Sequence, residues 1–459
     1  MSSTENGPYL GLNPESLSSD FDTVIIAAPD THGRLFGRRL NVENFRQAIA
    51  EGGIGVSTCV YGWDIQQDPT LLASGALAYT SMHSGMGDFM LEPDLATLRP
   101  AGWLDRTAIC LARSIEEGGE PTHVAPRTIL ANELDRWTEL GLSAATGTEL
   151  EFFLYRGSPR AARQSDYRGL EPTTLSPADY SLYEGDEFEP FFADLRERFE
   201  RTGLRLEASQ VEWGLGQWET TLQYGEPMDM ADRHALYKLA TRSMAARNNL
   251  SATFMAKPFD GGPGSSCHVH VSVRDAAGAS LFWDAEHAEA SDHLRWAVGG
   301  ILEHAPAFMA WYAPTVNSYR RTRGKDAAGW GRTWGHDHRF TTVRVIGRTP
   351  QSIRLEFRQP GADANPYLVL AATLASVRLG MANRIDPGPP IMGSPFDREA
   401  LEFPQTLGAA VDSLRDSAVA REVFGDAVVD HYATLLGQEW SVFLDSVTDW
   451  ERSRYFELI

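Results

Sequence analysis

The chain has 459 residues, 42 % of them hydrophobic and 22 % charged, with 41 glycines and 25 prolines, which excludes disordered, collagen-like and coiled-coil architectures and leaves room for two or three domains. Lys plus Arg number 41 against 62 Asp plus Glu, a net charge of -21; a nucleic-acid partner needs a basic face and is not expected. The three cysteines, Cys59, Cys110 and Cys267, lack CxxC spacing, so neither a disulfide framework nor a structural zinc site is indicated, and a reducing cytoplasm fits.

Residues 1–20 are polar and lack the basic start and apolar run of a secretory signal. No apolar stretch reaches the roughly 18 to 20 residues of a membrane span; the best, Tyr367 to Val377, stops at Arg378. A soluble, cytoplasmic protein with no membrane partner is expected. Residues 21–125 read as a small α+β domain: the apolar run Thr23 to Ala28 precedes the glycine-punctuated DTHGRLFGRRL and the helix-like NVENFRQAIAEG. At Pro126 a helical pattern opens and runs to Gly141, placing a boundary before a larger domain, 126–459.

Within that domain, strand-like TGTELEFFLYR, RLEASQVEWGLGQWETTL, CHVHVSV and SIRLEFRQ alternate with helical DMADRHALYKLATRSMAARN and NPYLVLAATLASVRLGMANR. A large antiparallel sheet backed by helices is the natural packing, making the fold class α+β. Residues 324–338, rich in Gly and Trp, lack periodicity and are expected to be a loop.

The strands carry the chemistry. Glu149 and Glu151 stand two apart and share a face. His268, His270 and Ser272 repeat that spacing, as do Arg354, Glu356 and Arg358, while Glu212 and Glu219 add carboxylates from a further segment. If the faces converge, carboxylates and imidazole make a site for a hard divalent cation, Mg²⁺ or Mn²⁺. Arg321, Arg339, Arg344, Arg354 and Arg358 supply forked donors for phosphate and carboxylate. Together they describe metal-assisted phosphoryl transfer. The alternative, each charge on a separate wet face, is not excluded by composition. No GxxxxGK[ST], GxSxG, HExxH or helix-opening GxGxxG is present.

In chain order DTHGRLFGRRL, GDFMLEPDLATLRP, APRTIL, GTELEFFLY, EWGLGQWE, ATFMAKP, GSSCHVHVS, APTVNSYRR, WGHDHR and RLEFRQPGADANPYL resemble the glutamine synthetase family over nearly the whole length. The resemblance implies a small N-terminal β-grasp-like domain, a catalytic domain with a curved sheet, and homo-oligomeric stacked rings with active sites between subunits. It implies that ATP phosphorylates the γ-carboxylate of glutamate and an amine displaces the phosphate, with two to three Mg²⁺ or Mn²⁺ ions. By motif, Glu151, Glu212 and Glu219 would hold the metal nearest glutamate, and Glu149, His268 and Glu356 the metal between the phosphates. Arg321 and Arg358 would clamp glutamate beside Gly264. Arg339, Arg344 and Arg354 would neutralise phosphate, with His270 and Ser272 on the nucleotide side.

The departures from the ammonia-using pattern concern the amine. Where those members carry an Asp-Gly-Ser-Ser latch, this chain has Tyr61-Gly62-Trp63-Asp64-Ile65, and the flap glutamate position falls on Ala327. Loss of that glutamate removes charge and opens volume, so a bulkier amine is expected: ethanolamine or another small monoamine ahead of polyamines, as in the similar glutamate-ethanolamine ligases and γ-glutamylpolyamine synthetases. Trp63, Trp330 and Tyr180 are candidates to line the amine pocket, and Asp64 and Asp326 to pair with or deprotonate the amine. Ordinary glutamine synthesis and a non-catalytic nitrogen-sensing ring are the alternatives. The stretch Ile391 to Asp397 corresponds to the loop adenylylated in some members and has no tyrosine, so no such control is expected.

Overall fold

Two sheets organise the chain, which is described by a computed structural model over residues 11–323, 329–397 and 402–459. Strands β1 (Thr23–Pro29), β2 (Leu35–Asn41), β3 (Ile54–Ser57), β4 (Asp88–Pro93), β5 (Arg99–Pro100) and β6 (Thr107–Ile115) form the first, in the order β2-β1-β6-β4-β3 with β5 on β6. Helix α1 (Val42–Ala50) starts where the Asn41 side chain accepts from the Asn44 N–H at 2.8 Å. Its Val42, Phe45 and Ala48 share one face and pack with Val24 and Ile26 of β1. A 3₁₀ turn, Pro14–Ser19, inserts Leu17 into the same core, so packing begins inside the segment whose sequence reads as a polar lead.

The chain then enters α2 (Pro126–Glu139), opened by Pro126 in its first turn. The second sheet comprises β7 (Ser143–Arg156), β8 (Leu206–Val211), β9 (Gln217–Leu222), β10 (Leu250–Thr253), β11 (Cys267–Arg274), and, beyond a small β12 (Trp283–Asp284) and β13 (Glu289–Ala290) pair, β14 (Trp330–His336), β15 (Thr341–Ile346) and β16 (Arg354–Phe357). Its order is β14-β15-β16-β11-β7-β9-β8, with β10 also on β7. Helices α3 (Glu189–Thr202), α4 (Pro227–Arg247), α5 (Asp292–His304) and α6 (Pro366–Asn383) lie among these strands in sequence. α4 packs on β7 and β10, and α6 on α2, α4 and α5. Period-2 alternation divides β7: Leu150, Phe152 and Leu154 join the core, Phe152 meeting Tyr237 of α4 edge-on, while Glu149, Glu151 and Phe153 face a cavity.

The two sheets are tied by buried polar contacts. Asn365 caps α6 through the Tyr367 N–H and donates to the Thr31 carbonyl at 3.1 Å. Arg127 bridges Asp94 and Asp232, each at 2.9 Å. In α7 (Asp426–Leu444), His431 Nε2 donates to the Tyr61 carbonyl at 2.8 Å. Among the described residues no helix is long and apolar enough to cross a membrane.

Three local expectations change. Residues 330–336 are a strand parallel to β15, although 324–338 reads as loop; the register shifts between Trp330 and Trp334, and a bulge erases the period-2 signal. That pair also makes the sheet mixed instead of wholly antiparallel. RLEASQVEWGLGQWETTL is a hairpin, β8 and β9, because Gly216 at φ +73 turns the chain between them. Asp326 and Ala327 lie outside the described residues.

Candidate functional site

Register places the charged strand positions opposite one another. His268 pairs with Glu149 across β11 and β7, Glu151 with Glu219 across β7 and β9, His270 with Glu356 across β11 and β16, and Arg344 with Glu356 across β15 and β16. One cavity of about 1190 Å³ is lined by Glu149, Glu151, Glu212, Glu219 and His268 together with Arg321, Arg339, Arg344, Arg354 and Arg358, while His270 and Glu356 lie just behind that lining. Gly264 and Tyr180 line it too. The separate-wet-faces reading therefore fails.

At the centre, His268 Nδ1 lies 3.2 Å from Glu149 Oε2 and 3.5 Å from Glu356 Oε1. His270 Nε2 lies 2.9 Å from Glu149 Oε1, while its Nδ1 accepts from Arg354 Nε at 3.2 Å. A neutral imidazole has one donor and one acceptor nitrogen, so His270 carries its proton on Nε2 and offers no lone pair to a cation. Ligand atoms of Glu149, Glu219 and His268 fall within 4.8 Å of one another, as do those of Glu149, His270 and Glu356. The tautomer removes His270 from that second group and leaves it a partner of Glu149.

The carboxylates sense each other. Burial, then the charge of Glu151, raises Glu212 to about 7. Burial, then the charges of Glu149, Glu151, Glu212 and Glu356, pushes Glu219 up to about 10. Against desolvation, His268 and His270 hold Glu149 well below the usual carboxylate range, and Arg358, then the imidazoles, lower Glu356. A buried acid set that retains protons for want of positive charge is chemically suited to a hard divalent cation.

The arginines interleave with the acids. Arg344 Nη1 donates to Glu356 Oε2 at 3.0 Å and its Nε to Asp337 Oδ1 at 3.0 Å, and Arg358 donates to Glu356 Oε1. Arg321 is 5 % exposed and donates through Nη2 to the Gln359 carbonyl, but its Nε and Nη1 have no acceptor among the described residues. A buried guanidinium with idle donors beside a cavity is suited to a carboxylate. Gly264 permits that placement: a Cβ there would stand 2.4 Å from Arg321 Cγ and 2.5 Å from the Ala256 carbonyl oxygen.

Other expected residues are scattered. Tyr180, 55 % exposed, has a left-handed backbone, φ 59, and hydrogen-bonds from its N–H to the Val211 carbonyl at 3.0 Å. Ser272 follows His270 on the same face of β11 but does not line the cavity. Trp63 and Asp64 do not line it either; the Trp63 carbonyl contacts His32 Nε2 at 3.3 Å, and Asp64 Oδ1 accepts from the Gln66 and Asp68 N–H groups. Trp330 begins β14.

The sequence reading missed the amides that hold the acids. Gln217 Nε2 donates to Glu151 Oε2 and to the Gly264 carbonyl, both at 3.0 Å, and Gln210 Nε2 reaches Glu212 at 3.1 Å and Glu219 at 3.0 Å. Each stands two residues from a carboxylate on the same strand face, so the spacing that exposes the acids extends to them.

Comparison with known proteins agrees with this geometry. A family model described as the glutamine synthetase catalytic domain matches residues 123–455. The chain is 36 % identical to the γ-glutamylethanolamide synthetase of Streptomyces coelicolor, covering 96 % of this chain and 94 % of that protein. It is 33 % identical to a glutamate–isopropylamine ligase of a Pseudomonas species, covering 96 % of each. A solved ligand-free structure of GmaS superposes with a TM-score of 0.84 at 26 % identity, covering 98 % of this chain and all of that one.

Proposed function

Because the chain belongs to the glutamine synthetase family, we propose that it is an ATP-dependent ligase joining the γ-carboxylate of glutamate to an organic primary amine through a γ-glutamyl phosphate. The observation that carries this reading is the convergence of carboxylates, His268 and arginines on a single cavity. Two relatives above 30 % identity are named for ethanolamine and isopropylamine, whereas one named for putrescine is 28 % identical, which favours a small monoamine over a polyamine.

In this reading Arg321 and Arg358 hold the glutamate carboxylates and point the γ-oxygen at the ATP γ-phosphorus. ADP leaves as that P–O bond forms, and Arg339, Arg344 and Arg354 stabilise the charge spread over the transferring oxygens. Glu151, Glu212 and Glu219 would hold one divalent ion beside glutamate, and Glu149, His268 and Glu356 another between the phosphates, with two to three ions in all. When bound, the ions neutralise phosphate and carboxylate charge and act as Lewis acids. The amine nitrogen then attacks the acyl carbon, phosphate departs, and the nitrogen loses a proton to a nearby carboxylate. Asp64 of a neighbouring copy and Asp326 are the assigned acceptors, with Trp63, Trp330 and Tyr180 around the amine substituent and His270 and Ser272 toward the nucleotide.

Asp64 lies off the cavity of its own chain, which supports a site completed between copies in a cytoplasmic ring; the catalytic part is residues 126–459, and 21–125 supply the neighbour's edge. The test is phosphate release from ATP, Mg²⁺ and glutamate across ammonia, ethanolamine, short alkylamines, putrescine, spermidine and an aromatic amine, with mass detection of products. Turnover with a small organic amine and little with ammonia is expected; preference for ammonia overturns the reading of Ala327.

A further inference from the structure

Ser266 sits one residue before β11, and each of its polar groups meets a residue assigned above to a cation. Its carbonyl accepts from the Glu151 N–H at 3.1 Å. Its own N–H donates to Glu151 Oε2 at 3.0 Å, and its hydroxyl donates to Glu151 Oε1. The same hydroxyl oxygen lies 3.0 Å from His268 Nε2. The residue is 6 % exposed, so water is a poor substitute for these contacts.

A hydroxyl has one proton to give, and an ionised carboxylate only accepts. With its proton committed to Glu151, Ser266 Oγ is an acceptor toward His268 Nε2. His268 Nδ1 is hydrogen-bonded to Glu149 Oε2 at 3.2 Å and stands 3.5 Å from Glu356 Oε1, in the space a cation would enter. A cation there needs the Nδ1 lone pair and hence the ring proton on Nε2, where Ser266 Oγ is the acceptor; the other tautomer keeps an N–H on Glu149 and repels a cation. His270, two residues along the same strand face, has no such serine; Arg354 engages its Nδ1 instead. Two histidines at equal spacing are thus sorted by their outer partners, one into a ligand and one into an acceptor for Arg354.

We propose that Ser266 is a positioning residue whose one hydroxyl orients Glu151 and accepts the Nε2 proton of His268 in the tautomer that a cation at Nδ1 requires, and so links the two cation positions. This inference rests on the reading that the acid cluster holds divalent cations. Without the hydroxyl, Glu151 keeps the residue-266 N–H and Gln217, whereas His268 loses the only acceptor that hydrogen-bonds its Nε2 among the described residues.

The experiment is Mn²⁺ binding to the full chain, read from the electron paramagnetic resonance signal of free Mn²⁺ without nucleotide or substrate, beside thermal unfolding in EDTA. Ser266→Ala is expected to weaken Mn²⁺ binding by about 10- to 100-fold, the usual effect of removing an outer partner of a ligand. Its unfolding temperature in EDTA should fall only by the few degrees that losing one buried hydroxyl's hydrogen bonds costs. Ser266→Thr, which keeps the hydroxyl, should restore most of the affinity. Unchanged Mn²⁺ affinity in Ser266→Ala overturns the inference. So do equal losses in the Ala and Thr variants accompanied by a larger fall of the unfolding temperature in EDTA, since that is the behaviour of a packing residue. Absence of Mn²⁺ binding in the unaltered protein would instead overturn the cation reading itself.

Discussion

Cation binding should expel protons from the acid cluster, and the structure sets the size of the effect. Burial and four neighbouring carboxylates push Glu219 up to about 10, and burial with Glu151 raises Glu212 to about 7. A carboxyl with a raised pKa is protonated below that value, so at pH 7.5 the cation-free cluster retains a proton that a bound cation must displace. Removing it from a group at about 10 costs about 3 kcal/mol at that pH, or roughly three-hundredfold in affinity. Affinity should therefore rise with pH, approaching tenfold per unit between about 7 and 10, and more steeply below 7, where Glu212 adds its own proton. Titration calorimetry of Mg²⁺ at pH 7.5 in two buffers of different ionisation enthalpy should count about one proton released per cluster. Glu219→Gln should bring that count toward zero. A buffer-independent enthalpy together with an affinity flat in pH would refute the argument.

Gly264→Ala drives a Cβ to 2.4 Å from Arg321 Cγ, so the glutamate KM should rise about tenfold or more while the ATP KM changes little, as steady-state kinetics will show. Asp64→Ala and His268→Ala should each abolish turnover, yet randomly mixed rings should recover about a quarter of the activity, because some sites then combine an intact Asp64 with an intact His268 from different copies; no recovery would place Asp64 outside the neighbour's site. Burial lowers His431 from 6.5 to about 4, so between these pH values the unfolded chain binds more protons and stability falls as pH falls. The loss reaches about 3 kcal/mol near pH 4, and urea midpoints of His431→Gln should lack that share of the pH dependence.

The site was legible in the sequence because the strands are. Period-2 spacing in GTELEFF, CHVHVS and RLEFR puts one set of side chains in the core and the other in the cavity, and the register observed between β7, β11 and β16 preserves it. Gln210, Gln217 and Ser266 obey the same spacing but carry no charge, so no repulsion marks them as partners in a site. β14 was hidden by a bulge, which removes periodicity without removing strand pairing. The roles of His268 and His270 depend on Ser266 and Arg354, one beside them in sequence and the other brought by the fold. Trp63 and Asp64 are named only through the resemblance, since no periodicity marks them and they do not line the cavity of their own chain.

Buried carboxylates and buried arginines share this sheet face because neither is tolerable alone. Glu356, 1 % exposed, has one oxygen on Arg344 and the other on Arg358, and removing either partner would leave an uncompensated charge at a cost of about 3 to 5 kcal/mol. In the proposed reading, a divalent cation on Glu356 would compete with these arginines, and glutamate and phosphate on the arginines would compete with Glu356. Each charge would then release the group that the other requires, and by linkage each would strengthen the other's binding. The ion pairs that compensate these buried charges would in this way be the ones that couple a cation to anionic substrates.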